Sequence, residues 1–113
     1  MTLSKDAKKV LYRLYKEYLD RHNHGFSQSD SVKFGSSEEI RNSLFPELLF
    51  DDVDCFLREL RDNDFLEGLL ADGMVYKCEL SNYAIATMEA LPFDALASIA
   101  DFVLKFNLPI IGH

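Results

Sequence analysis

The chain has 113 residues, of which 48% are hydrophobic and 27% charged, a composition typical of one folded domain and not of a disordered chain. Its formal net charge of −7 disfavours a general affinity for polyanions such as nucleic acid or anionic lipid. The chain has only two cysteines, which do not make a disulfide framework, and its N-terminus does not have the pattern of a secretory signal. No apolar run approaches the roughly 20 residues that cross a bilayer. We therefore expect a cytoplasmic protein without a membrane segment.

The start of the chain predicts an amphipathic helix. Ser4 is the expected N-cap, and the helix should end between Arg21 and Asn23. Its apolar residues recur at three- and four-residue spacing and are Val10, Leu11, Leu14, Tyr15, Tyr18 and Leu19. Residues 31–34, in the Ser-rich stretch that follows, form a candidate edge strand.

Two further helices are expected in the middle of the chain. Ser36 and Glu39 have the spacing of a capping box, which predicts a short second helix over residues 40–44. Asp51 or Asp52 is the expected cap of a third helix. The apolar stripe of this third helix consists of Val53, Phe56, Leu57 and Leu60.

A β-hairpin is predicted after the third helix. Residues 65–70 and 74–80 are strand-like, and Asp72-Gly73 between them favours a tight turn because both residues tolerate positive φ. Strict alternation along the second strand predicts one buried face, formed by Met74, Tyr76, Cys78 and Leu80. Cys78 is therefore interpreted as a packing residue.

The C-terminal part of the sequence predicts two more helices. Ser81 should cap a fourth helix that runs to about Leu91, and a fifth should cover residues 93–106. The fifth helix is apolar on two flanks, so either helices one and four cover both flanks or one flank forms a homodimer interface. We favour the homodimer, with residues 92–113 as the dimerisation element and Ile99, Phe102, Phe106 and Ile110 at the interface.

The segment DDVDCFLRELRDNDFLEG, followed by ADGMVYKCELSNYAIATME, resembles the core of a winged helix–turn–helix domain. The positions that carry the resemblance are the apolar residues Val53, Leu57 and Leu60, the start of the first wing strand at Phe65-Leu66, and the strand end and helix cap at Leu80-Ser81. The resemblance covers residues 4–91 of a single domain spanning residues 1–113. It implies a mostly helical α+β fold with a small β-hairpin wing and extra C-terminal helices. In length and layout the chain is also similar to small winged-helix proteins of prophages and mobile elements in Gram-positive bacteria.

A DNA-binding winged helix would use the exposed face of its third helix, and here that face is mainly acidic. Opposite the apolar stripe lie Asp51, Asp54, Cys55, Arg58, Glu59 and Asp62. Carboxylates repel phosphate, whereas groove reading uses Arg, Lys, Asn or Gln. The wing carries Asp72, and the turn before the helix carries Glu47 and no cation. The sequence therefore predicts a protein-binding face made of Asp51, Asp54, Arg58, Glu59 and Asp62.

The alternative interpretation is a DNA-binding transcriptional regulator. Residues 1–25 hold six Lys/Arg against three Asp/Glu, whereas residues 51–67 hold two against seven. The predicted phosphate contacts are Lys5, Lys8, Lys9, Arg13, Arg58 and Arg61. A solvated helix face with local ion pairs gives the same basic pattern without nucleic acid, and we favour that explanation. The sequence thus favours a module that binds proteins, itself included.

The sequence contains no catalytic or cofactor-binding motif that we recognise. His22 and His24 form an H-x-H pair beside Asp20, in an expected surface loop, but nothing else is spaced to complete the ligands of a zinc site. Cys55 lies among carboxylates, so its thiol should keep its proton and be a poor nucleophile. We therefore expect no enzymatic activity, no metal, no cofactor and no small-molecule ligand.

Overall fold

Five helices and three strands make up residues 3–91, the part of the chain that the computed structural model describes. In chain order they are α1 Lys5–Asn23, α2 Gln28–Ser31, β1 Lys33–Gly35, α3 Ser37–Leu44, α4 Phe50–Asp62, β2 Leu66–Ala71, β3 Met74–Leu80 and α5 Asn82–Glu89. The strands form one antiparallel sheet in the order β1-β3-β2, which confirms the expected α+β domain. None of these helices is long and apolar enough to cross a membrane. The predicted fifth helix and interface residues Ile99, Phe102, Phe106 and Ile110 lie outside the described residues.

Three of the helices begin at the serines predicted from the sequence. The hydroxyl oxygens of Ser4 and Ser81 each accept a hydrogen bond from the backbone N–H three residues later, at 3.2 and 3.0 Å. Ser36 and Glu39 form the predicted capping box, in which each side chain accepts from the other residue's backbone N–H at 3.2 Å. The predicted starts of these three helices are therefore confirmed.

Helix α4 begins earlier than predicted. Its N-cap is Leu49, which makes no side-chain capping bond, and Asp51 and Asp52 lie in the first turn. The prediction that one of these aspartates is the cap was wrong. Their carboxylates lie instead near the unpaired N–H groups at the positive end of the helix dipole, where negative charge is stabilising.

The hydrophobic core lies between the sheet and the longer helices. Its largest fully buried side chains are Val10, Leu11, Leu14, Ile40, Phe45, Val53, Leu57, Leu60, Val75, Cys78 and Met88. The buried core contains all of the stripes predicted for α1 and α4 except Leu19, which is 38% exposed, and Phe56, which is only partly buried at the margin. Helix α4 packs against α1, α3 and both strands of the hairpin, so its position is fixed from several sides.

Strands β2 and β3 form the predicted hairpin. Ala71 pairs with Met74, and the two residues between them, Asp72 and Gly73, have φ angles of 49° and 77°. Two successive positive φ values are typical of the tight turn that matches the twist of paired strands. The predicted edge strand is also present, as β1 on the other side of β3.

A β-bulge interrupts the regular alternation of β3. Glu67 pairs with Glu79 and Leu69 pairs with Tyr76, so β3 contributes one residue more than β2 between these pairs. The extra residue is Lys77, which has a φ of 53°. One extra residue moves every side chain on one side of it to the opposite face of the sheet.

The bulge makes the predicted burial of β3 only half correct. Cys78 is buried as predicted. Val75 is also buried, whereas Met74 and Tyr76, which were predicted to face the core, are only partly buried. Gly68 lies opposite the bulge, where a Cβ would be 2.6 Å from Val75 Cγ1. The lack of a side chain at this glycine therefore makes room for Val75 in the core.

Candidate interaction surface on helix α4

The outward face of helix α4 carries a narrow acidic stripe. Asp51 and Asp62, two of the residues predicted for a partner-binding face, are exposed. Cys55 is exposed as well, and spacings of four and seven residues place all three on one side of the helix. Asp52 is exposed beside them. We call Asp51, Cys55 and Asp62 the acidic stripe.

Asp54 is buried, contrary to its predicted place on the exposed face. Only 7% of its surface is exposed. Its Oδ1 accepts hydrogen bonds from Ser37 Oγ at 2.6 Å and Val75 N–H at 3.2 Å, and its Oδ2 accepts one from Arg58 Nε at 2.7 Å. A carboxylate is tolerated in the interior only when its oxygens are bonded in this way. Asp54 therefore holds α4 against α3 and β3 and is not available to a partner.

The bonds around Asp54 also complete one edge of the sheet. Strand β1 pairs only with Cys78 and Glu79 of β3, so Val75 lies beyond the end of β1. The Val75 N–H donates to Asp54 Oδ1 and Ser37 Oγ, both at 3.2 Å, and its C=O lies 3.3 Å from Ser37 Oγ. Side chains from α3 and α4 thus take the place that further residues of β1 would have occupied.

Arg58 and Arg61, the predicted phosphate contacts of α4, are both engaged within the domain. The Arg58 guanidinium is paired with Asp54, although 40% of its side chain is exposed. Arg61 Nε donates to the Gly68 carbonyl at 2.9 Å, and its Nη1 is 3.7 Å from Asp62 Oδ1. Since the charge of Arg58 is matched by a carboxylate, this residue adds no net positive charge to the outward face.

Glu59 was predicted on the partner-binding face and instead joins α4 to α1. Its carboxylate accepts hydrogen bonds from the Ser4 N–H at 2.6 Å and the Ser4 hydroxyl at 2.8 Å. Because Ser4 is the N-cap of α1, this contact ties the start of α1 to α4. The pair could not be predicted from the sequence, because no local pattern relates residues 55 positions apart.

Most cations of α1 are paired with carboxylates of the same helix. Ion pairs of 3.7 Å or less join Lys9 to Asp6, Arg13 to Glu17, Lys16 to Asp20 and Arg21 to Glu17. The interpretation of this helix as a solvated face with local ion pairs fits that arrangement. Among residues 3–91, Lys5 and Lys8 have no carboxylate within 4.0 Å.

Comparison with known proteins adds no identification. The chain matches no protein-family model, no curated protein and no solved structure at a significant level. The function of the acidic stripe is therefore inferred from its geometry and charge.

His22 and His24 lie at the end of α1 and not in a separate loop. His22 belongs to the last turn of the helix, and His24 is its C-cap. The Nδ1 of His22 is 3.1 Å from the Phe26 carbonyl, and that of His24 is 2.6 Å from the Asp20 carbonyl. Within residues 3–91, no group of three or more His, Cys, Asp or Glu side chains is arranged to hold a metal ion.

The two thiols lie in opposite environments. Cys55 is exposed on α4, whereas Cys78 is fully buried. Burial raises the pKa of the Cys78 thiol to about 12, and the nearby charges of Asp54 and Glu39 add to the increase. Because the thiolate is the reactive form of cysteine, Cys78 is protected by burial and by its retained proton.

Thiol labelling should distinguish these two environments. With an aromatic disulfide reagent at about pH 8, we expect the exposed Cys55 thiol to react while the protein is folded, at a rate lowered by the neighbouring carboxylates, and Cys78 to react only at the rate of unfolding. The Cys55→Ser variant should show the slow phase alone, and denaturant should make that phase fast. Rapid modification of Cys78 in the folded Cys55→Ser variant would contradict its burial.

Proposed function

We propose that the chain is a non-catalytic protein-binding module with a winged helix–turn–helix architecture, and that the acidic stripe of α4 contacts a basic partner protein. The observation that carries the proposal is the hydrogen bond between Arg58 and buried Asp54 at 2.7 Å. With that cation neutralised, the charges that face outward on the stripe are the carboxylates of Asp51 and Asp62. Only Asp62 has a cation of α4 nearby, the Arg61 guanidinium at 3.7 Å.

The order of the elements supports the winged-helix part of the proposal. Helices α3 and α4 are joined by a short turn and are followed directly by the β2–β3 hairpin, and β1 precedes α3 and pairs with β3. In winged helix–turn–helix domains the second of two such helices is the recognition helix, and the hairpin is the wing. On this interpretation, α4 is the element presented to a partner.

The charge of the surface supports a protein partner over a nucleic acid. Exposed carboxylates on a recognition helix repel phosphate, and both arginines of α4 already donate to groups within the domain. The wing turn carries Asp72 where a DNA-binding wing usually offers a cation. A basic protein surface would be attracted by the same charges, and its rate of association would fall as salt increases.

A DNA-binding regulator is the second candidate because two lysines of α1 are not ion-paired within residues 3–91. These are Lys5 and Lys8, in the first two turns of the helix. The Ser4–Glu59 contact places the start of α1 beside α4, so a duplex on this side could meet both elements. Phosphate contacts from lysines would fix such a duplex in position without reading its sequence.

Two binding measurements separate these candidates. In fluorescence anisotropy with a labelled duplex of mixed sequence, we expect no binding even at low salt, because the outward charges of α4 repel phosphate. In affinity capture from an extract of the source cells, we expect the immobilised protein to retain a basic protein. The variant Asp51→Asn/Asp52→Asn/Asp62→Asn should lose that protein.

The matched control removes the same number of exposed carboxylates outside α4. It is Asp30→Asn/Glu38→Gln/Glu89→Gln, and it should retain the partner. Retention of the same protein by the α4 variant would show that α4 is not the binding surface. Duplex binding that weakens steeply with salt and is lost in Lys5→Gln/Lys8→Gln would establish the regulator instead.

A further inference from the structure

The hairpin has an apolar outer face. Leu69 pairs with Tyr76 and Ala71 pairs with Met74, and the Leu70–Val75 pair lies between these two pairs. Directly opposed residues share one face of a sheet, and neighbouring pairs face opposite sides. Since Val75 is buried in the core, the four side chains of the two flanking pairs point outward. We call these four residues the apolar outer face.

The bulge at Lys77 creates this face. Without the extra residue, Met74 and Tyr76 would share the face of the buried Cys78. As it is, Leu69 is 57% exposed, and Met74 and Tyr76 are only partly buried. Turning apolar side chains away from the core gives up hydrophobic stabilisation, and contiguous exposed apolar surface is typical of a binding site.

A pair of like charges borders the apolar outer face. Glu67 and Glu79 are register partners, so their side chains lie directly opposite each other on the same outward side. Like charges in this arrangement destabilise a sheet. Lys77 is the only cation of the hairpin, and Lys33, the register partner of Glu79 on β1, has its ion pair with Asp30 at 3.9 Å. A partner that brings cations to the two glutamates would relieve their repulsion as it binds.

We infer that the apolar outer face binds a basic amphipathic helix of a partner protein, whose apolar side chains cover Leu69 and Tyr76 and whose Lys or Arg side chains contact Glu67 and Glu79. The inference rests on the proposed function, since it assumes a basic protein partner. Charge complementarity favours this occupant over two others. Residues 92–113 of the chain contain two aspartates and one lysine, and a second copy of the chain carries a net charge of −7. Both are net negative, so neither matches the charge of the glutamate pair as a basic helix does.

A defined peptide tests the inference on the whole 113-residue chain. The probe is a fluorescein-labelled amphipathic peptide of about four helical turns, with Leu on one face and Lys on the other. We expect it to bind with an affinity that falls as salt increases, and we expect Leu69→Gln/Met74→Gln to weaken binding at least about tenfold. Leu49→Gln, which changes a 70% exposed leucine outside the hairpin, should bind like the unmodified protein.

The Glu67→Gln variant gives a readout that a structural defect would not give. Removal of one like charge should raise the midpoint of thermal unfolding of the free protein and at the same time weaken peptide binding. A peptide of the same pattern with Glu in place of Lys should not bind.

Several outcomes overturn the inference. One is equal peptide binding by the unmodified protein and Leu69→Gln/Met74→Gln. Another is a dimer in light scattering that this variant converts to a monomer, because a second copy would then occupy the face. A third is no peptide binding together with a lower unfolding midpoint in the variant, because the chain itself would then cover the face. If peptide binding is lost in Asp51→Asn/Asp52→Asn/Asp62→Asn but not in Leu69→Gln/Met74→Gln, the inference is overturned and the proposed function is supported. If the protein binds duplex DNA, both the inference and the proposed function are overturned.

Discussion

Replacing Asp54 with alanine is expected to lower the free energy of unfolding by about 2–4 kcal/mol, because several buried hydrogen bonds to one charged acceptor are lost. The change removes the carboxylate that accepts from the Ser37 hydroxyl, one of the two acceptors of the Val75 N–H, and the ion-pair partner of the partly exposed Arg58 guanidinium. Polar groups left unpaired in the interior keep their full desolvation cost. Urea denaturation followed by circular dichroism measures the difference.

The matched control for Asp54 is Asp62→Ala. It removes a carboxylate from the same helix where 69% of the side chain is exposed, so it should change stability by less than about 0.5 kcal/mol. Asp54→Asn keeps an acceptor oxygen and should fall between the two. If Asp54→Ala costs no more than Asp62→Ala, the buried hydrogen bonds do not stabilise the domain.

Replacing Phe45 with alanine is also expected to cost about 3–5 kcal/mol. Phe45 is the largest fully buried side chain of residues 3–91 and lies at the C-cap of α3, where its N–H donates to the Arg41 carbonyl at 3.0 Å. Removing the ring leaves a cavity in a core that is fixed on several sides and cannot collapse to fill it. Chemical denaturation of the purified variant gives the value.

Phe26→Ala is the matched control for this cavity, because it makes the same substitution at a side chain that is 54% exposed. Its cost should stay below about 1 kcal/mol. Equal losses at the two positions would mean that the Phe45 ring does not contribute to the core as its burial indicates.

The parts of the fold that could be predicted from the sequence depend on contacts between near neighbours. The caps at Ser4, Ser36 and Ser81 each join groups three residues apart, and the Asp72-Gly73 turn closes within four. Such contacts are encoded by residue type and spacing, which the sequence displays directly. The start of α4 could not be predicted in this way, because its N-cap, Leu49, makes no side-chain capping bond and is not a residue type that marks a helix start.

The reversed orientation of Met74 and Tyr76 could not be predicted from the alternation of β3. Lysine has no preference for positive φ, so Lys77 gives no sign of the bulge. The available signal was Gly68, since glycine inside a strand often marks a bulge or a close approach. Its meaning depends on the register with β3, which only the paired strands define.

Asp54 and Glu59 show the same limit for the candidate surface. Helical spacing places both away from the apolar stripe, which predicts exposed carboxylates. Apart from Arg58, four positions from Asp54, their hydrogen-bond partners lie 17, 21 and 55 positions away along the chain. Which carboxylates of α4 remain outside is therefore decided by tertiary packing, and only Asp51 and Asp62 of the predicted acidic residues do so.

The completed edge of β3 bears on how the protein resists aggregation. Strand edges with free N–H and C=O groups are templates on which strands of other chains can pair. At Val75 these groups face Asp54 and Ser37, two buried side chains that no incoming strand can displace without opening the domain. Strand β1 has only three residues and does not reach Val75 of β3. The buried Asp54 and Ser37 side chains therefore block the addition of a strand from another molecule at this part of β3.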